Sequence, residues 1–237
     1  RRRRFREVLK EQERVEADDV IMSPAQAKGN GLTSTVVFPQ GNLAPEGAVV
    51  KSTAIDPGMV DSDGVYRMEG TAKVFTSEAL AIEAIRSGQI HAGDVMVLVG
   101  IGPMGTGMEE TYQVTSALKY LPFGKHVAVV TDGRFSGVST GPCIGHVGPE
   151  ALAGGPIGKI QDGDVIRIEV DQNENTGALN LVGAEGERFA SDEGENLLAS
   201  RKSRVDLKPH ESLPLDTKLW ASLQAYSGGT WGGCVYD

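Results

Sequence analysis

Residues 100–148 read GIGPMGTGMEETYQVTSALKYLPFGKHVAVVTDGRFSGVSTGPCIGHVG, setting apolar runs of strand length beside glycine-bounded loops that carry Glu109, Glu110, Ser136 and His146. Glycine is needed where a backbone turns with positive φ or runs close to another group. A loop that combines such glycines with ionisable and hydroxyl side chains therefore marks a candidate site. Within the stretch, 127–131 is an apolar, β-branched strand that ends at Asp132, and 111–120 has the composition of a helix.

The same alternation continues outward. The segment QGNLAPEGAVVK, residues 40–51, is punctuated by Gly41, Pro45 and Gly47, so a tight turn feeds a strand at 48–52; an earlier strand is expected at 33–38. Residues 71–75 read as a short strand. Ser77 is placed to cap a helix over 78–87 that Gly88 closes, with Leu80, Ile82, Ala84 and Ile85 as its buried stripe and Glu78 and Glu83 left to solvent. Gly93-Asp94 followed by 95–99, and Gly163-Asp164 followed by 165–170, repeat one turn-and-strand pattern with core-facing strands. Residues 150–153 suit one helical turn. Beyond Gly183 the chain is polar through Lys208, and 213–226 recovers helical periodicity around Leu219, Trp220 and Leu223. At the other end, 1–16 has charges at helical spacing around Phe5, Val8, Leu9 and Val15, while 18–30, with Pro24 and Gly29, reads as a loop. This order predicts an α/β mixed fold, a compact barrel flanked by helices rather than a regular parallel sheet. Residues 1–30 are expected to be a helix and linker from a missing upstream domain, and 31–237 the barrel domain with a helical tail; the chain reads as a piece of something longer.

At 237 residues and 40% hydrophobic content the chain can bury a sizeable core. Its 32 acidic and 23 basic residues give a net charge of −9, which repels nucleic-acid phosphates and anionic membranes and favours small molecules or cations as partners. No apolar run approaches the ~20 residues of a bilayer span, so no membrane partner and a cytoplasmic location are expected. Two cysteines, Cys143 and Cys234, are too few for a disulfide framework or a four-thiolate cluster, consistent with a reducing compartment.

Four features compete for chemistry. Gly100-Ile101-Gly102-Pro103-Met104-Gly105 imitates a dinucleotide fingerprint, but Pro103 removes a donor and Glu109 and Glu110 would stand beside the pyrophosphate. Those two carboxylates suit either a hard cation such as Mg²⁺ or the dipole of a helix N-terminus. Ser136, in Asp132-Gly133-Arg134-Phe135-Ser136-Gly137, is either a turn residue or a base or nucleophile, and the second role needs a Lewis acid or neighbouring base. His146 serves equally as a structural imidazole or a proton carrier.

The segments TSAL (115–118), TDGRFSG (131–137), GPCIGHV (141–147), PEA (149–151) and GGPI (154–157), with GMEET (107–111) in place of GMPEM, resemble in identity and order the C-terminal domain of the iron-sulfur dehydratases that include dihydroxy-acid and phosphogluconate dehydratases. The wording GTGMEETYQ and the tail SGGTWGGCVYD are most similar to the bacterial sugar-acid branch, in particular D-xylonate dehydratases. The resemblance implies a swivelling β/β/α domain and a hydro-lyase that converts a sugar acid to its 2-keto-3-deoxy acid. It carries metal ligation to Glu110 rather than Glu109, because the interval from Glu110 to Ser136 is that of the family's metal-binding glutamate and catalytic serine, and it makes Ser136 the base. Ser139 and His146, in the same glycine-bounded loop, are expected to border the substrate or orient the Ser136 turn. The resemblance further implies Mg²⁺, an iron-sulfur cluster held by an N-terminal domain of the same enzyme, and a homo-oligomer. The isolated 237 residues are therefore expected to be inactive. Dihydroxy-acid dehydration, NAD binding and a non-catalytic swivelling role are the alternatives.

Overall fold

The computed structural model describes residues 2–32, 35–211 and 213–226, and the chain divides into two units, 1–34 and 35–237. In the first, α1 (Arg2–Val8) runs into a π-helical turn, Leu9–Glu13, and is followed by α2 (Ala17–Val20) and α3 (Pro24–Gly29). Residues 18–30 are thus largely helical where a loop was expected. A capping box explains α3: Gln26 N donates to Ser23 Oγ at 3.3 Å, and Ser23 N donates to Gln26 Oε1 at 2.9 Å. Pro24 sits at the first helical position, where its missing N–H costs nothing, and Gly29 is the last residue.

The second unit contains β1 (Phe38–Gln40), β2 (Gly47–Val50), β3 (Val65–Phe75), α4 (Glu78–Arg86), β4 (Asp94–Leu98), α5 (Pro103–Thr106), β5 (Glu110–Thr111), α6 (Gln113–Lys119), β6 (Ala128–Thr131), β7 (Arg134–Phe135), β8 (Cys143–Gly148), β9 (Val165–Asp171), β10 (Thr176–Ala184), β11 (Glu187–Arg188), α7 (Ser191–Ser200) and α8 (Leu215–Tyr226). The main sheet runs β1-β10-β9-β3-β4-β6-β8-β2, with β11 on β10. Its two ends meet. Val37, just before β1, exchanges backbone hydrogen bonds of 2.9 and 3.0 Å with Val50 of β2, which brings the sheet to a nearly closed barrel. The parallel pairs β3–β4 and β4–β6 are joined by crossovers through α4 and through α5 and α6, as parallel neighbours require.

Strand alternation divides the apolar residues between two cores. Val95 and Val97 of β4 and Ala128 and Val130 of β6 point into the barrel with Ile166, Ile168, Leu179 and Leu181, while Met96, Leu98 and Val129 face outward onto Ala81, Ala84, Val114 and Leu118 of α4 and α6. β4 is therefore buried on both faces, as its unbroken apolar run suggests, whereas β9 alternates and buries only one. Each fully buried aliphatic side chain contributes roughly 1.5–3 kcal/mol.

Helix α4 matches its Ser77 cap and, to within one residue, its expected span; Ile82, Ala84 and Ile85 pack inward and Glu83 is exposed as expected, whereas Leu80 and Glu78 depart from their expected faces. Leu80 is 54% exposed, and the small Ala81 and Ala84 make the close approach. Glu78 is not left to solvent: its Oε1 accepts the Val114 N–H at 3.0 Å and so caps α6. The 71–75 strand is the end of an eleven-residue one, and β10 and α7 were not legible. The tail helix forms as α8, with Leu215 and Leu219 exposed; the Trp220 side chain, the start of the 33–38 strand and residues 227–237, with Cys234, lie outside the described residues.

Candidate active site

The site region grows from the ends of β4 and β6. Asp132, 1% exposed, follows β6 and accepts three backbone N–H bonds, from Gly100 (3.0 Å), Ile101 (3.0 Å) and Ala151 (2.9 Å). Burial pushes its carboxyl up, and the three donors oppose the shift. Beside it, Glu150 takes the Met104 N–H on both oxygens at 3.0 and 3.2 Å. The first turn of α5, the place a dinucleotide pyrophosphate would occupy, is therefore already filled by a carboxylate of the chain itself. A Cβ on Gly102 would lie 2.4 Å from Glu150 Oε2, so this glycine makes room for the glutamate rather than for a phosphate.

From α5 the chain turns through Gly107 and Met108, both with positive φ, into β5, which pairs in parallel with β7. Glu110 stands opposite Arg134 and Thr111 opposite Phe135. The Arg134 guanidinium lies 3.4 Å from Glu110 Oε2, its Nε donates to the Met108 carbonyl at 2.9 Å, and the Thr111 hydroxyl donates to the Arg134 carbonyl at 2.9 Å. Ser136 directly follows β7, two residues beyond Arg134. Because Phe135 is the register partner of Thr111, the Ser136 turn begins at the end of the short ladder that holds Glu110. Glu109 is exposed, and its N–H is held by the Thr106 hydroxyl at 3.0 Å.

Ser136 begins a turn closed by the Ser139 N–H on its carbonyl at 2.9 Å, and its Oγ accepts the Val138 N–H at 3.4 Å. Ser139 is 4% exposed, and its hydroxyl bonds that of Thr115 at 3.1 Å, which anchors the turn to α6. His146 lies in β8 with φ +53°; its N–H donates to the Gly133 carbonyl at 2.8 Å, and its ring meets Phe135 edge-on with centroids 6.4 Å apart. Burial and the Arg134 charge lower its pKa, so it is neutral at pH 7. A Cβ on Gly145 would lie 2.5 Å from the Phe135 ring, so this glycine lets Phe135, and Ser136 after it, sit against β8. Arg134, Glu150 and Thr115 were not singled out from sequence, although each lies in a quoted segment. Nothing in a turn arginine or a post-proline glutamate announces its partner.

Among the described residues no group of three or more His, Cys, Asp or Glu is arranged to hold a metal. Glu110 offers the single carboxylate that Mg²⁺ takes from one element, so it fits as one ligand of a shell completed by other groups. An iron-sulfur cluster does not fit these residues: it needs thiolates, and Cys143 is buried within β8 with its thiol pushed up to about 12.

Residues 19–203 match the family model described as dihydroxy-acid/6-phosphogluconate dehydratase C-terminal. The chain belongs to this family and corresponds to its C-terminal domain. It is 59% identical over its whole length to two Escherichia coli K12 proteins named D-xylonate dehydratase, YjhG and YagF, and 39% identical over 94% of its length to a dihydroxy-acid dehydratase of Dinoroseobacter shibae. The chain spans 36% of the length of the two E. coli relatives and 35% of the third.

Proposed function

We propose that this chain is the C-terminal part of a hydro-lyase that dehydrates a sugar acid of the D-xylonate type to its 2-keto-3-deoxy acid. The observation that supports the reading is the β5–β7 ladder, which carries Glu110 and Arg134 and leads into the Ser136 turn, in a chain 59% identical over its own length to two proteins named D-xylonate dehydratase. The reaction removes the proton on C2 and expels hydroxide from C3; the enol then becomes the ketone, with net loss of water.

In this reading Ser136 Oγ takes the C2 proton, a contribution typically worth ~10²–10⁴-fold. Glu110 is the chain's ligand to Mg²⁺, which when bound supplies positive charge to the substrate oxygens and the developing enolate. Ser139 orients the Ser136 turn through Thr115. His146, neutral and half-buried, borders the substrate as a hydrogen-bonding group rather than as a cation. The iron-sulfur cluster and the other Mg²⁺ ligands belong to an N-terminal domain of the same enzyme, and the enzyme is a cytoplasmic homo-oligomer; these parts rest on family resemblance.

The test is turnover by the whole enzyme carrying this chain, with D-xylonate and a branched-chain 2,3-dihydroxy acid supplied in parallel. Preference for the sugar acid, lost in Ser136→Ala, supports the proposal. Preference for the branched-chain acid moves the assignment to dihydroxy-acid dehydration, and turnover retained by Ser136→Ala removes the serine from its role.

A further inference from the structure

The segment of residues 40–51 closes on a lysine for which the site described above has no use. Lys51 follows β2, whose antiparallel register with β8 pairs Val50 with Ile144 and Val49 with Gly145. That register brings the end of β2 beside the loop joining β7 to β8, the loop that carries Ser136. Lys51 Nζ donates to the Gly137 carbonyl at 2.6 Å, across 86 residues of sequence. Three residues on, the Ala54 carbonyl accepts the Gly141 N–H at 2.9 Å, so residues 51–54 hold the loop at two points. Gly137 and Val138 are exposed and have little packing of their own to fix them.

Lysine is a costly way to make a mere strut, because its flexible stem loses much rotamer freedom when held. What it adds is charge. The charged or titratable groups on the elements packed against the turn include Arg134, Glu110 and His146 and, lining the cavity beyond Ala54 and Gly141, Asp56, Lys119 and Lys125. Arg134 is offset by Glu110 at 3.4 Å and Lys125 by Asp56 at 3.4 Å, while burial and Arg134 keep His146 neutral. Among the described residues no carboxylate pairs with Lys51, so its charge next to the residue following Ser136 is not cancelled. A serine that serves as a base must first lose its own proton, and a fixed neighbouring cation favours that.

We propose that Lys51 is a positioning residue for the Ser136 base: it fixes the 136–139 turn and sets an uncancelled positive charge beside it. This rests on the reading of Ser136 given above. The experiment uses the whole enzyme with Lys51→Met, Lys51→Arg and Ser136→Ala, each first checked for metal content and thermal midpoint. Lys51→Met is expected to lower kcat at least about tenfold with KM within about twofold, and to move the ascending limb of kcat against pH to higher pH. Lys51→Arg, which keeps both donor and charge, should recover most of kcat and return the limb. An unchanged kcat, or a fall in thermal midpoint with no shift of the pH limb, overturns the inference. If Ser136→Ala is inactive while Lys51→Met behaves as the parent, only the lysine role fails; if Ser136→Ala keeps turnover, the reading of the serine fails first.

Discussion

Glu110 and Arg134 are direct partners in the parallel register of β5 and β7, and their side chains meet at 3.4 Å with both groups open to solvent. An exposed pair of this kind contributes about 0–1 kcal/mol, so its value to the fold is small. The carboxylate is held in place yet remains available to a cation. Glu110→Gln keeps the shape and removes the charge. It should weaken Mg²⁺ binding by the whole enzyme at least about tenfold in a calorimetric titration, while unfolding stability stays within about 0.5 kcal/mol. Unaltered Mg²⁺ affinity would remove Glu110 as a ligand.

Among the described residues the Ser136 hydroxyl accepts one long bond, 3.4 Å from the Val138 N–H. Deleting it leaves the turn closed by the Ser139 N–H on the Ser136 carbonyl. Ser136→Ala should therefore lower turnover by ~10²-fold or more with metal content and thermal midpoint unchanged. Loss of metal along with activity would show that the hydroxyl is structural.

Glu150 contributes one pH-dependent part of the stability. Burial pushes its carboxyl up to about 7 from an ordinary 4.5; the Met104 N–H opposes the shift and the Asp132 charge adds to it. Between those two values the folded chain binds more protons at this site than the unfolded chain, so the contribution of this site is present in full below pH 4.5 and is lost as pH rises through 7. The shift corresponds to about 3 kcal/mol. Glu150→Gln keeps an oxygen for Met104 and cannot ionise. Its unfolding free energy relative to the parent should improve by about that amount between pH 4.5 and pH 8 in denaturant titrations. A difference that does not change with pH would mean that Glu150 is not buried with Asp132 as described.

Local chemistry explains which parts of this architecture were readable. Ser77 and Gly88 bracket α4, the Gly93-Asp94 and Gly163-Asp164 turns start β4 and β9, and 127–131 contains β6, because capping, turn geometry and apolar runs are decided by neighbours in sequence. Barrel closure was expected only as a class, since it depends on Val37 meeting Val50 and on β1 pairing with β10 far along the chain. Helix α7 was obscured by its polar composition. It docks through Gly194, where a Cβ would lie 2.2 Å from the Leu181 carbonyl and 2.7 Å from Asn42 Nδ2, and no pattern of large apolar residues signals that approach. In the site, motif identity pointed to Glu110 and Ser136, whereas Arg134, Glu150 and Lys51 act through contacts 24, 46 and 86 residues distant. Such long-range partners leave no periodicity to read.

Cys143 provides a last test of where thiolate chemistry can reside. It is 3% exposed in β8, packed among the outward-facing residues of β4 and β6 and those of α4 and α6, and its thiol is pushed up to about 12. A cysteine binds metal or attacks an electrophile only as thiolate, which at pH 8 is a vanishing fraction here. Iodoacetamide at pH 8 should leave Cys143 unmodified in the native chain and alkylate it after denaturation, as read by peptide mass mapping. Cys143→Ala in the whole enzyme should leave iron content unchanged and cost about 1 kcal/mol or more through the void left between sheet and helices. Rapid native alkylation, or iron lost with the alanine variant, would place a reactive thiolate where the barrel wall is described as closed.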